Sequence, residues 1–177
     1  GSLPPALAAL GLDVAIVLPR YRSISLDGAR EVYRGLPVWI GWRSFFADIY
    51  AVDRGGVTVF LVDCPAVFDR DAIYGHPDDH IRFAVLSKAV LGVVRRLFRP
   101  RILHCHDWQT ALVSGYLRHH LYGDPSFAGI KLLFTIHNLG YKGEFGAEVL
   151  PDLGLSDLYY PDALEFFGNA CLMKAGL

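Results

Sequence analysis

Cysteine is scarce and methionine almost missing: Cys64, Cys105, Cys171 and a single Met stand among 177 residues. An odd set of cysteines with no C-x-x-C pair excludes a disulfide framework and a zinc-knuckle spacing. No charge dominates either, since 17 basic side chains face 18 acidic ones for a formal net charge of -1. That balance excludes the broad positive field that gathers nucleic acid or anionic lipid, so neither nucleic acid nor membrane is expected as a partner. Long apolar runs are lacking as well. The longest stretch without Asp, Glu, Lys or Arg, from Gly1 to Leu12, holds two prolines and falls short of the ~18 apolar residues of a membrane span. With no basic-then-apolar leader and no initiator Met, a cytoplasmic protein whose true start lies upstream is expected. A Walker loop, a G-x-G-x-x-G turn and a G-x-S-x-G elbow are absent, which withdraws support from the enzyme classes they mark.

What is present is a globular composition, 53% hydrophobic and 20% charged, sufficient for one sizeable core. Ser2 is placed to cap a helix carrying Leu3, Ala6, Leu7 and Leu10, which Gly11 ends. The continuous apolar run Val14 to Leu18 suits a strand buried on both faces of a parallel sheet. Between Glu31 and Asp63, three segments rich in β-branched and aromatic residues, with Asp53-Arg54-Gly55-Gly56 as a hairpin turn, predict an antiparallel excursion. From Asp78 to Phe98, Ile81, Val85, Ala89, Val93 and Leu97 recur every four residues on a helix whose ends match its dipole. A strand Ile102 to His106, a helix from Trp108 capped by Asp107, and a strand Leu132 to Ile136 make a βαβ unit with parallel strands. A last helix is predicted from about Asp162 to Lys174. The fold class is therefore α/β, a Rossmann-like, mostly parallel sheet with helices on both faces.

Two histidines end consecutive strands of the βαβ unit, His106 and His137. In open parallel sheets ligands bind beyond the carboxyl ends of strands that lie about 4.8 Å apart, so both face one crevice. His104 and His106, two apart on one strand face, also resemble paired metal ligands, which makes a metal-dependent hydrolase using His104, His106 and His137 the rival reading. The third ligand it needs, Asp107 or His137, belongs to no tight ligand spacing. Trp39, Trp42, Phe45 and Phe46 form the densest aromatic patch, and core packing is favoured for them over a sugar-binding platform. Arg95, Arg96 and Arg99 read as a solvated helix end, His119 and His120 as helix surface, and Asp78 and Asp79, on spacing alone, as first-turn residues.

Taken in order, several segments form a recognisable set: Gly1 to Leu7, Val17-Leu18-Pro19-Arg20-Tyr21, and Tyr74-Gly75-His76-Pro77-Asp78-Asp79 before Arg82-Phe83. His104-Cys105-His106-Asp107-Trp108-Gln109, Phe134-Thr135-Ile136-His137-Asn138-Leu139-Gly140-Tyr141-Lys142-Gly143 and Leu172-Met173-Lys174-Ala175-Gly176-Leu177 complete it. The set resembles the bacterial glycogen synthase and plant starch synthase family across essentially the whole chain. The resemblance implies a GT-B architecture of two Rossmann-like domains, of which residues 1–177 are the N-terminal, acceptor-side one, truncated at both ends and lacking the C-terminal nucleotide-binding domain. It implies a retaining transfer of glucose from ADP-glucose, in some members UDP-glucose, to the non-reducing end of an α-1,4-glucan, with no metal and no cofactor beyond the donor. By position His106 matches the histidine that reaches the donor glucose. Asp78 matches an acidic sugar contact in a segment where this chain carries Asp79 in place of the family's Asn. His137, Asn138 and Tyr141 fall in the acceptor-side loop, while Asp107 and Trp108 are read as structural, capping and anchoring the following helix. The family's Lys-x-Gly-Gly-Leu donor loop and second domain are not in the chain, so catalysis is expected only from a longer protein. A non-catalytic glucan-binding module is the remaining alternative.

Overall fold

The computed structural model describes residues 1–155 and 160–177. The chain divides into two compact units, Gly1–Val38 with Phe45–Gly75, and Trp39–Ser44 with His76–Leu177.

The first unit opens with α1 (Leu3–Ala9), which tolerates its prolines in the first turn, and continues through β1 (Val14–Pro19), all but the last two residues of β2 (Arg30–Ile40), all but the first two of β3 (Arg43–Asp53), β4 (Val57–Asp63) and α2 (Pro65–Phe68). The strands lie in the order β1-β4-β3-β2. β4 joins two kinds of pairing, antiparallel to β3 and parallel to β1. The antiparallel excursion is therefore present, and the predicted turn closes it, with Arg54 N donating to Val57 O at 2.9 Å. Two expectations fail here. Ser2 makes no side-chain cap. β1 is half-buried rather than buried on both faces, because it is an edge strand paired only with β4 among the described residues.

The aromatic patch is also not core. Along β2 the buried positions are Leu36, Val38 and Ile40, and along β3 they are Ala47 and Ile49. Period two then sends Trp39 and Phe46 outward, 62% and 64% exposed, while Trp42 sits in the turn between the strands at 76%. Phe45 alone is half-buried.

The second unit contains α3 (Asp79–Arg96), β5 (Ile102–His106), α4 (Trp108–His119), β6 (Lys131–Thr135), β7 (Glu144–Gly146), α5 (Leu150–Leu153), α6 (Tyr160–Ala163), β8 (Glu165–Phe166) and β9 (Asn169–Cys171). β5 and β6 pair in parallel, as the βαβ pattern requires, and β7, β9 and β8 form a small antiparallel sheet. α3 is buried nearly all round, not along one stripe only. Its carboxyl end is held by Arg95, which pairs with Asp124, and by Arg99, which donates to Pro125 O at 3.1 Å. The helix predicted from Asp162 to Lys174 is instead a short helix and the β8–β9 hairpin. Phe167 and Gly168, at φ +49° and +84°, reverse the chain there and break the helical period. Among the described residues no helix is long and apolar enough to cross a membrane.

Aromatic packing fixes one end of this unit. Phe83 meets Trp108 edge-on at 4.9 Å, and Phe145 lies 6.0 Å from Trp108 and 5.3 Å from His80. The amino-terminal turns of α3 and α4 are thus brought to the same end, together with the segment leading into β7. Gly143 sits beneath the Trp108 indole, where a Cβ would come within 2.7 Å of Cδ2, and its φ is +65°. Gly143→Ala should therefore lose about 2 kcal/mol or more through overpacking and strain. Gly129, also at positive φ but with open space around it, is the control, since its Ala variant bears only the backbone cost. Urea unfolding of both variants checks this, and equal losses would dismiss the indole contact.

Candidate functional site

The site grows out of the β5–β6 pairing. In register, His104 lies opposite Leu133 and His106 opposite Thr135, where β6 ends, two residues before His137. His106 and His137 then meet at the strand ends with Nδ1 and Nε2 3.0 Å apart and rings stacked at 5.3 Å. His104, on the same face of β5, packs its ring against that of His106 at 4.1 Å, tilted by 32°, and places Nε2 2.8 Å from the Thr135 hydroxyl. Cys105 points the other way and is buried, which pushes its thiol up to about 11 and removes it as a nucleophile at neutral pH.

Thr110 laces the turn beneath His106. Its hydroxyl accepts from His106 N at 2.7 Å and donates to His106 O at 2.8 Å. Thr110 and Thr135 were not legible as site residues; the only signal for Thr110 is its place one helical turn after His106. Asp107 departs from the role read in the sequence. Its side chain makes no cap on α4 and instead accepts from His137 N at 2.7 Å. Its backbone, at φ 58° and ψ -179°, occupies a region that is almost glycine's alone and costs on the order of 1–3 kcal/mol. Trp108, buried against Phe83 and over Gly143, is the anchor expected of it.

The loop after His137 is exposed. Asn138 accepts from Gly140 N through Oδ1 at 2.8 Å, so its carbonyl shapes the loop and its amide N–H groups are what it has to offer a ligand. Tyr141 is 60% exposed. The loop's far end is tied down where Leu172 N and Met173 N donate to Gly143 O and Lys142 O. Asp78 is half-buried at the N-cap position of α3, its side chain off the helix amides. The Phe83–Trp108 contact puts it at the same end of the unit as His106. Asp79 is more than a first-turn residue: it is buried, accepts from His76 N at 3.2 Å, and pairs with the fully buried Arg82 at 2.5 Å.

These contacts decide the electrostatics. Burial first, then the imidazoles of His104 and His137, hold the His106 ring below the ordinary imidazole range, against the opposing pull of Asp107. Burial and His137 do the same to His104. His104 and His106 are thus held towards their neutral forms, and the ring nitrogens of the cluster are engaged by one another and by Thr135. That geometry does not suit the metal-hydrolase reading, because the His104 Nε2 is engaged by the Thr135 hydroxyl and the facing nitrogens of His106 and His137 by each other. Among the described residues no group of three or more His, Cys, Asp or Glu is arranged to hold a metal ion.

The starch synthase catalytic domain family model matches residues 1–177. The chain is 41% identical over 182 residues to a glycogen synthase of Bacillus cereus, covering all of this chain and 38% of that protein. It is 42% identical over 186 residues to a glycogen synthase of Koribacter versatilis, with the same coverage. Among solved structures, the catalytic domain of starch synthase IV from Arabidopsis thaliana bound to ADP and acarbose superposes with a TM-score of 0.84 at 28% identity, over 98% of this chain and 38% of that one. The chain thus spans 38% of the length of these relatives.

The depressed histidines set a pH dependence. Unfolded imidazoles take up protons near pH 6.5, whereas the folded His104 and His106 resist, so the unfolded state binds more protons below that value. Their contribution to stability is complete above about pH 6.5 and is lost as pH falls through the depressed folded values. Urea midpoints should fall between about pH 7 and 5, and His104→Asn should flatten the slope. A slope that the substitution leaves intact would assign the effect to other groups.

Proposed function

Because the chain belongs to the starch synthase catalytic domain family, we propose that it is the N-terminal, acceptor-side part of a two-domain GT-B glucosyltransferase. The full-length protein transfers glucose from ADP-glucose to the non-reducing end of an α-1,4-glucan with retention of configuration. The observation that carries this reading is the His106–His137 contact at the carboxyl ends of parallel strands, in a chain that matches the family along its whole length. The ADP and acarbose bound by the Arabidopsis neighbour support an adenine-nucleotide sugar donor and a glucan acceptor. A cytoplasmic setting is supported by three free cysteines, all buried.

The chemistry follows from charge. As the bond between glucose and the diphosphate stretches, positive charge grows on the sugar, and groups already oriented towards it lower the barrier. A neutral imidazole at His106, or its backbone carbonyl, offers electron density there, whereas an imidazolium would oppose the developing cation. Thr110 holds the His106 backbone at both its N–H and its carbonyl, so little reorganisation accompanies the reaction. His137, the Asn138 amide and the exposed Tyr141 ring bind acceptor hydroxyls and sugar faces, and Asp78 supplies a further hydroxyl contact. The remaining part of the full-length protein supplies the nucleotide contacts. No metal or cofactor enters this scheme.

In the full-length protein, His106→Ala should lower kcat on the order of 100-fold while leaving the protein folded. Near-normal turnover would remove His106 from the reaction. Glycogen affinity electrophoresis of the wild-type protein separates the second reading, a non-catalytic glucan binder, which the exposed Trp39 and Trp42 favour. Binding of glycogen by a wild-type protein that does not turn over ADP-glucose would establish that alternative.

A further inference from the structure

We propose that Asp107 is a positioning residue, held in a backbone conformation that suits glycine so that its carboxylate fixes the His137 peptide and, with it, the imidazole that meets His106. The inference rests on the functional reading given above and names a residue that reading does not use.

Four observations carry it. First, β5 ends at His106 and α4 begins at Trp108, so Asp107 is the whole connection between strand and helix. A one-residue turn demands an unusual backbone, and Asp107 with Phe167 are the two non-glycine residues at positive φ among those described. Second, the residue is not there as a cap. The first turn of α4 is served by the Asp107 carbonyl, which accepts from Thr110 N at 3.1 Å, while the carboxylate makes no bond to the helix amides. Third, Asp107 grips the neighbouring chain twice. Its N–H donates to Thr135 O at 2.9 Å and its Oδ1 accepts from His137 N at 2.7 Å. Two bonds to residues two apart fix the direction in which the chain leaves β6. Fourth, that direction places the His137 ring 3.0 Å from His106 Nδ1 and launches the loop bearing Asn138 and Tyr141.

Glycine would occupy this turn without strain. What aspartate adds is the carboxylate, and that carboxylate has one hydrogen-bond partner among the described residues, the His137 amide. The strain is therefore retained for a bond that organises the two histidines, the pattern by which an outlying backbone points to function.

The test uses the full-length protein with Asp107→Gly and Asp107→Asn. Asp107→Gly relieves the backbone and deletes the acceptor; Asp107→Asn keeps an oxygen in place. The glycine variant should melt at or above the wild-type temperature yet lose kcat on the order of 100-fold, the scale of a misplacement of about 1 Å, with KM for ADP-glucose and glycogen little changed. The asparagine variant should recover most of that loss. With 15N-labelled histidine, the His137 amide proton should resonate downfield in wild type and Asp107→Asn and move upfield in Asp107→Gly. Unchanged kcat in the glycine variant, or a loss of kcat matched by a fall in melting temperature and not rescued by asparagine, would overturn the proposal. If the wild-type protein transfers no glucose, the functional reading falls and the amide resonance decides alone: an amide unmoved by Asp107→Gly overturns the positioning role, and one that moves upholds it.

Discussion

β5 lies beside β6 in parallel so that His106 is opposite Thr135, and a slip of one residue would send every side chain of the strand to the other face. The packing of His104 against His106, the approach of His137, and the bond from His104 to Thr135 all presuppose this register. So does the reach of Asp107 to two main-chain groups at the end of β6. The register is in turn held by α4, which starts at once after β5 and pins its first residue, Trp108, between Phe83 and the Gly143 backbone.

Much of this was legible in the sequence because it rests on short-range pattern. The βαβ unit could be read from two apolar runs flanking a helix, and parallel pairing then required that His106 and His137 lie together. The hairpin turn at Asp53 to Gly56 followed from its glycines. What the sequence concealed depends on contacts between distant residues or on a choice between faces. Nothing local tells whether Trp39 points in or out, since that is set by the burial of Leu36, Val38 and Ile40 around it. Asp107 before an apolar helix has the composition of a cap, and only the nearby His137 amide diverts it. The region from Asp162 to Lys174 carries a helical composition that the reversal at Phe167 and Gly168 overrides.

Asp79 illustrates how a departure from a family pattern is absorbed. The resemblance places Asn at this position, and Asn would offer Arg82 a neutral oxygen. Arg82 has no exposed side-chain surface. An aspartate at i-3 meets that cation with a full charge at hydrogen-bond distance and also accepts from His76 N, so the first turn of α3 and the residues before it are organised around one ion pair. Such a pair is costly to assemble from water and costlier still to leave half-made. Asp78, one residue earlier, inherits its place in the site from that arrangement.

The single residue between β5 and α4 also limits how this end of the molecule can move. Longer connections act as hinges because several torsions share a rotation among them. Here there are two torsions, both in a sparsely allowed region, and the residue that owns them is bonded through side chain and main chain to the adjacent strand. Strand and helix are mechanically one lever, with its fulcrum at Asp107. A displacement of α4 arrives at His106 undamped, and an opening or closing of the crevice that leaves the two imidazoles in contact has to be carried by other parts of the chain.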